Sequence, residues 1–169
     1  KTWSDEGLWK QLGGGANPWD SIAYDPVLKL VYVGTGNSSP HTQFYRSADK
    51  GDNLFVCSIV ALHAEDGSYA WHYQMVPAEQ WDFTCTQPMM LADLKIGGRT
   101  RQVIMQAPKN GFFYVLDRRT GKLISAKTYV PNLWASRIDM ETGRPVTNPE
   151  AVPTEHPYLM TPTWMAAHS

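Results

Sequence analysis

The chain has 169 residues, enough for a domain with a core of its own, and a formal net charge of −1 argues against nucleic-acid binding and against a polybasic membrane surface. No apolar run approaches the roughly 20 residues that span a bilayer, and residues 1–6 lack the apolar stretch of a secretory leader. Seven Trp, eight Tyr, thirteen Gly and twelve Pro predict short strands and tight turns rather than long helices.

Taken in chain order, the first strand signal is residues 21–24, followed by a turn at Asp25-Pro26 and a second strand over 28–33 that runs into Gly34-Thr35-Gly36. Proline presets φ at the second turn position and the aspartate before it can accept bonds from the backbone ahead, so this reads as a hairpin. Residues 58–64 and 69–74 form a second predicted hairpin around Asp66-Gly67, a strong signal between two apolar runs. A lone strand is predicted over 101–106, and a third hairpin over 111–117 and 122–126 around Thr120-Gly121. Gly67 and Gly121 stand 54 residues apart. A hairpin of the same grammar returning at that spacing suggests the blades of a propeller, although a β-sandwich uses similar turns. Six prolines between Pro131 and Pro162 are expected to break regular structure, making 131–169 a long excursion of the kind that carries function.

Cys57 and Cys85 form no CxxC motif. The residues favour two buried free thiols, with a disulfide left open in an oxidising compartment.

Four segments carry candidate chemistry. In Gly13-Gly14-Gly15-Ala16-Asn17-Pro18-Trp19, the glycines permit close backbone approach and the indole could serve as a flat platform, though a tryptophan before a strand more often packs a core. Asn37, after Gly34-Thr35-Gly36, has an amide oxygen suited to Ca²⁺, yet an asparagine there is ordinarily a turn former. Asp82 lies between Trp81 and Phe83 in Glu79-Gln80-Trp81-Asp82-Phe83-Thr84; a carboxylate buried among aromatics must be capped, bound to a cation or tuned as a base. Lys109 precedes a predicted strand in Ala107-Pro108-Lys109-Asn110-Gly111, where most lysines simply face solvent.

In their order and spacing these segments resemble the PQQ-dependent alcohol dehydrogenases, most closely the soluble quinohaemoprotein group. The likeness runs to about Ser136 and rests on GGG followed by WDS, on YDP with LVYVGTGNSSP, on GDNL and SIVAL, on WDFT with TQPM and LADL, and on APKNGFFYVLDR with TGK and ISAK. The resemblance implies an all-β fold, a segment of about three blades from an eight-bladed β-propeller, with residues 1–169 forming part of one PQQ-binding domain and 131–169 running between blades. Repeats such as ALHAEDGSYAW resemble the family's blade-docking motifs, which makes Trp71 structural.

The same resemblance assigns roles. Trp19 is the floor on which PQQ stacks, Asn37 a ligand of the active-site Ca²⁺, Asp82 the catalytic base beside that metal, and Lys109 the cation that reaches the quinone oxygens. The implied reaction oxidises a small alcohol to an aldehyde by hydride transfer to calcium-bound PQQ. The implied electron acceptor is a cytochrome c or a blue-copper protein, the implied location is the periplasm, and any haem c would lie in a domain outside this chain. Lanthanide-dependent relatives place a second aspartate two residues after the base; Thr84 stands there, which favours Ca²⁺. The family's glutamate ligand and vicinal cysteine pair fall upstream of residue 1, and another cofactor-contacting segment begins near Ala166–Ser169. The isolated chain is therefore expected neither to hold PQQ tightly nor to turn over. Two other readings stay open: a quinoprotein for a polyol or sugar, and a propeller scaffold without activity. A scaffold has no need of Trp19, Asn37, Asp82 and Lys109 together.

Overall fold

The structure, a computed structural model, describes residues 2–153. Two antiparallel four-stranded meanders dominate it. The first joins β1 (Ile22–Asp25), β2 (Leu30–Gly34), β3 (Ser58–His63) and β4 (Tyr69–Gln74). The second joins β5 (Met90–Ile96), β6 (Arg99–Gln106), β7 (Phe112–Asp117) and β8 (Leu123–Thr128). A short pair, β9 (Ala135–Ile138) with β10 (Pro145–Thr147), follows. Two short helices, α1 (Trp9–Leu12) and α2 (Gln43–Ser47), lie in the connections. This is the all-β arrangement expected of a propeller segment. The two predicted hairpins over 21–33 and 58–74 belong to one sheet, so the 54-residue spacing of Gly67 and Gly121 measures blade to blade.

β2 and β7 alternate buried and half-buried residues, the period-2 pattern of strands in the middle of a sheet. Tyr32, Ile59, Ala61, Trp71 and Tyr73 of the first sheet and Ile104, Phe112, Tyr114 and Leu116 of the second belong to one core. Trp71 is seated on the next sheet: a Cβ added to Gly121 would collide with its indole. Tyr73 repeats the device one hairpin further on, its hydroxyl donating to Gly143 O at 2.7 Å. A buried ion pair crosses the same junction, with Arg118 Nε 2.6 Å from Asp25 Oδ2. Burial pushes the Asp25 carboxyl up, but the N–H groups of Leu28 and Val27 and the Arg118 charge outweigh it and hold it below its ordinary value. Arg118 also pairs with Asp93 at 2.9 Å.

Three expectations change. Cys57 and Cys85 are not free thiols; they form a disulfide that ties the entry of β3 to the connection before β5. The start of the 131–169 stretch is not irregular: β9, β10 and a 3-10 turn at Pro149–Ala151 occupy it. Pro145 begins a strand that pairs on one side alone and Pro149 begins a helical turn, two positions where a missing N–H costs little. Pro157, Pro162 and the segment Ala166–Ser169 lie outside the described residues. Finally, Met90–Ile96 is a full strand, although its Leu, Ala and Lys content carries little strand signal.

Candidate active site

Antiparallel order sends successive connections to opposite ends of a sheet. The tight turns at 26–29, 64–68, 97–98 and 118–122 share one end. The other end receives the chain before β1 and the connections 35–57, 75–89 and 107–111. Trp19, Asn37, Asp82 and Lys109 sit one in each of those four segments, so the meander itself delivers them to one rim.

Asp82 is the centre of the group. Its backbone is left-handed, with φ 61°, a region that aspartate enters more readily than most residues. That turn buries Trp81 and Phe83 on the inner side and leaves the Asp82 side chain 55% exposed. Its Oδ2 lies 3.7 Å from Lys109 Nζ and its Oδ1 lies 3.8 Å from His41 Nδ1. Asn37 Nδ2 in turn lies 3.4 Å from the same His41 nitrogen. His41 Nδ1 thus stands between the Asn37 amide and the Asp82 carboxylate. His41 was not singled out in the sequence, where it is one more polar residue after a proline.

Trp19 is 65% exposed and is held from behind by glycine. A Cβ on Gly36 would come within 3.0 Å of the Trp19 Nε1, and Gly36 N donates to Asn17 O at 3.2 Å. Gly36 thus lets the indole lie against the backbone immediately before Asn37. Trp19 is therefore not a core tryptophan.

The rim rests on aromatic rings. Trp134 packs against Trp81 and Phe83 with ring centroids 5.2 and 5.3 Å away and against Phe112 at 6.2 Å. Trp134 Nε1 donates to Asn110 O at 2.7 Å, and Asn110 Nδ2 donates to Tyr114 Oη at 2.7 Å. The residue after Lys109 is thereby fixed, and the Asp82 and Lys109 segments share one floor.

The carboxylate that is buried here is Glu79, not Asp82. Its Oε1 accepts from Trp81 N at 2.7 Å and Phe83 N at 2.8 Å, while Oε2 has no hydrogen-bond partner among the described residues. Burial pushes its carboxyl up to about 7, against the opposing pull of those two N–H groups and of Arg46. Arg46 is also fully buried. It donates to Asn53 Oδ1 at 3.1 and 3.0 Å, to Pro40 O at 2.9 Å, to His41 O and to Glu79 O at 2.7 Å.

The donor set fits part of a hard-cation site and part of a site for a flat anionic ring. Asn37 and Asp82 offer oxygens, Lys109 a cation, and Trp19 an exposed indole whose backing a Cβ would fill. Ca²⁺ takes 6–8 oxygen ligands, so these two residues supply a minority of a shell. Among the described residues no cluster of three or more His, Cys, Asp or Glu could hold a metal unaided. Thr84 is buried, its Oγ1 accepting from Gln87 Nε2 at 3.3 Å, and adds no charge.

Comparison with known proteins identifies the family and the fold. Residues 1–156 match the family model described as PQQ: glucose/ethanol/alcohol dehydrogenase, beta-propeller domain. The chain is 57% identical over 154 residues to the dehydrogenase subunit of alcohol dehydrogenase (quinone) from Komagataeibacter europaeus, covering 91% of this chain and 21% of that protein. It is 53% identical over 169 residues to the quinohemoprotein alcohol dehydrogenase ADH IIB of Pseudomonas putida, covering 100% of this chain and 24% of that one. The solved structure of quinohemoprotein alcohol dehydrogenase ADHIIG from Pseudomonas putida HK5 superimposes with a TM-score of 0.91 at 52% identity, over 95% of this chain and 24% of that one. The chain therefore spans about a quarter of the length of these relatives.

Proposed function

Since the chain belongs to the PQQ-dependent glucose/ethanol/alcohol dehydrogenase β-propeller family, we propose that the protein containing it oxidises small alcohols to aldehydes, with PQQ and Ca²⁺ as cofactors. The observation that carries the reading is the convergence on one rim of Asp82, Lys109 at 3.7 Å and the Asn37–His41 pair, beside the exposed Trp19. PQQ bound with Ca²⁺ would supply the hydride acceptor and the Lewis acid.

The residues of this chain do the rest. Asp82 takes the hydroxyl proton of the alcohol onto a carboxylate oxygen as the carbinol hydrogen leaves as hydride, so the carbon ends as a carbonyl. Its exposure on the rim lets substrate reach it, and the left-handed turn aims it outward. Lys109 serves two anions: it faces Asp82 and offers positive charge where charge develops on the quinone oxygens. Asn37 and Asp82 would each give an oxygen to the metal. Trp19 offers a ring surface to a planar group. Thr84 brings no second carboxylate, which suits a divalent ion. The remaining metal ligands and the far wall of the cofactor pocket would come from other parts of the longer protein, so the isolated chain is inactive. A periplasmic location follows in the same reading, as does a cytochrome c or blue-copper acceptor, with haem c in a further domain of the quinohaemoprotein type. Residues 1–169 then form part of one propeller domain, with 131–169 linking blades.

The test is Asp82→Asn in the complete enzyme reconstituted with PQQ and Ca²⁺, with dye reduction followed on ethanol. Loss of about 10²–10⁴-fold in kcat is expected for removal of a general base, with the bound-cofactor absorbance retained. Turnover within threefold of the parent would sink the assignment.

A further inference from the structure

We propose that Glu79 and Arg46, neither of which reaches the rim, are positioning residues that set the direction of the Asp82 carboxylate and its distance from Asn37. This rests on the assignment of Asp82 as the base.

Asp82 occupies a left-handed backbone, φ 61°, in which the Cβ of an L-residue crowds the following carbonyl oxygen. Something must hold it there. The two N–H groups flanking it, Trp81 N and Phe83 N, both donate to the single oxygen Glu79 Oε1 at 2.7 and 2.8 Å. One acceptor drawing in both neighbours forces the chain to arch between them, and the residue at the crest is Asp82. Trp81 and Phe83 then turn inward, with rings 6.0 Å apart and nearly parallel at 18°, and the Asp82 side chain is left pointing out.

Arg46 supplies the second dimension. Its guanidinium donates to Pro40 O and His41 O on one side and to Glu79 O on the other. Those carbonyls belong to the Asn37 connection and the Asp82 connection, so one rigid fork spans both loops. Asn53 Oδ1 accepts from two of its nitrogens, and Asn53 Nδ2 donates onward to Ser47 Oγ at 3.0 Å. A planar five-donor group can bind three carbonyls and an amide oxygen at once; a lysine cannot. Both side chains are fully buried, so neither has a role in contact with solvent or substrate. A misplacement of the order of 1 Å at a catalytic group can cost about 10²-fold in rate, and this clamp is what stands between Asp82 and that loss.

The test compares Glu79→Gln, Glu79→Ala, Arg46→Lys and Asp82→Asn in the complete enzyme, with two readouts. One is kcat against KM for ethanol. The other is hydrogen exchange of the Trp81 and Phe83 amides by mass spectrometry, which does not depend on turnover. Glu79→Ala is expected to lower kcat 30- to 100-fold with KM within threefold and to speed exchange of the two amides at least tenfold. Glu79→Gln, which keeps an acceptor oxygen, is expected to restore both to within threefold of the parent. Arg46→Lys is expected to lower kcat about tenfold with the same amides loosened. If Glu79→Ala does not fold, Glu79→Asp, whose oxygen falls short of the arch, takes its place with the same expectation. Equal losses in Gln and Ala, or loosened amides with unchanged kcat, would overturn the positioning role. Full activity in Asp82→Asn alongside loosened amides in Glu79→Ala would instead remove the assignment of the base and leave the arch standing.

Discussion

At one end of the two sheets the strands are joined by turns of two to five residues, at 26–29, 64–68, 97–98 and 118–122; at the other the chain runs through 35–57 and 75–89. The short end places its positive-φ positions mostly at glycine, as in Gly67, Gly97, Gly98 and Gly121. The long end has such glycines too, at Gly13, Gly15, Gly51 and Gly111, but adds to them the non-glycine residues Ser21, Ala48, Asp49, Asn53, Cys57, Ala78 and Asp82. Glycine relaxes a turn at no steric cost. A left-handed side chain has to be held by its surroundings, and such residues gather where geometry serves chemistry. The short end is therefore where this chain is joined sheet to sheet, and the long end is where structure is spent on aiming side chains.

Substitutions should separate the two ends. The largest effect on stability is expected from Arg118→Ala, which leaves Asp25 as a buried, unpaired carboxylate; breaking one side of such a pair costs about 3–5 kcal/mol. Urea unfolding of the complete enzyme should show it, with kcat of the surviving folded fraction unchanged. A drop in kcat to match would mean that the two ends are not independent. Gly121→Ala comes next. The new Cβ meets the Trp71 indole in a left-handed turn with φ 72°, and overpacking with that backbone cost comes to about 2–4 kcal/mol.

A pH effect belongs to the long end. Glu79 has its carboxyl raised by burial from 4.5 to about 7, so the folded state holds its proton more tightly than the unfolded one. The sign follows: the contribution of Glu79 to stability is greatest below about 4.5, declines as pH rises toward 7, and is level beyond. The decline amounts to at most roughly 3 kcal/mol for a shift of this size. Glu79→Gln should flatten the dependence of melting temperature on pH across that window in the cofactor-free protein. An unchanged slope would show that Glu79 does not carry it. The smallest effect is reserved for Arg144→Ala. Its bidentate pair with Asp52, at 2.8 and 2.7 Å, lies exposed, and loss of such a pair is worth under about 1 kcal/mol; a larger change in urea unfolding would give the β9–β10 hairpin more weight than its surface contacts suggest.

The same contrast explains what could be read in the sequence. Short turns announce themselves locally, because Asp-Pro, Asp-Gly and Thr-Gly state the backbone they need, and the hairpins at β1–β2, β3–β4 and β7–β8 fall where those signals put them. β5 was missed because Met90-Leu91-Ala92-Asp93-Leu94-Lys95-Ile96 has no strand signature of its own; it is a strand because it pairs along its whole length with β6. β9 and β10 lie in a proline-rich stretch that masks their strand signal, although Asp139-Met140-Glu141-Thr142-Gly143 repeats the turn of Asp117-Arg118-Arg119-Thr120-Gly121. In each, the aspartate Oδ1 accepts from the N–H groups two and three residues on. Trp19, Asn37, Asp82 and Lys109 could be proposed from a resemblance and could not be derived from propensity. Glu79, Arg46 and His41 carry no site signal in the sequence: Arg46 reaches Glu79 O across 33 positions, His41 meets Asp82 from a separate connection, and the bonds of Glu79 to Trp81 N and Phe83 N, though local, belong to an arch that no residue propensity announces. The Cys57–Cys85 link, 28 residues apart, is of the same kind.

One strand, β4, has a consequence beyond its own sheet. Trp71 and Tyr73 leave it on the same face, two residues apart, and each plugs a different bare turn, Gly121 and Gly143. β4 thus behaves as a two-pin key, with the β7–β8 turn and the β9–β10 turn as its pair of sockets. A side chain at Gly121 would overlap the Trp71 indole, and one at Gly143 would crowd the Tyr73 ring. A change there has to be answered on the key, as in Gly121→Ala joined with Trp71→Phe, which makes the sequence of one unit a constraint on the tip of its neighbour.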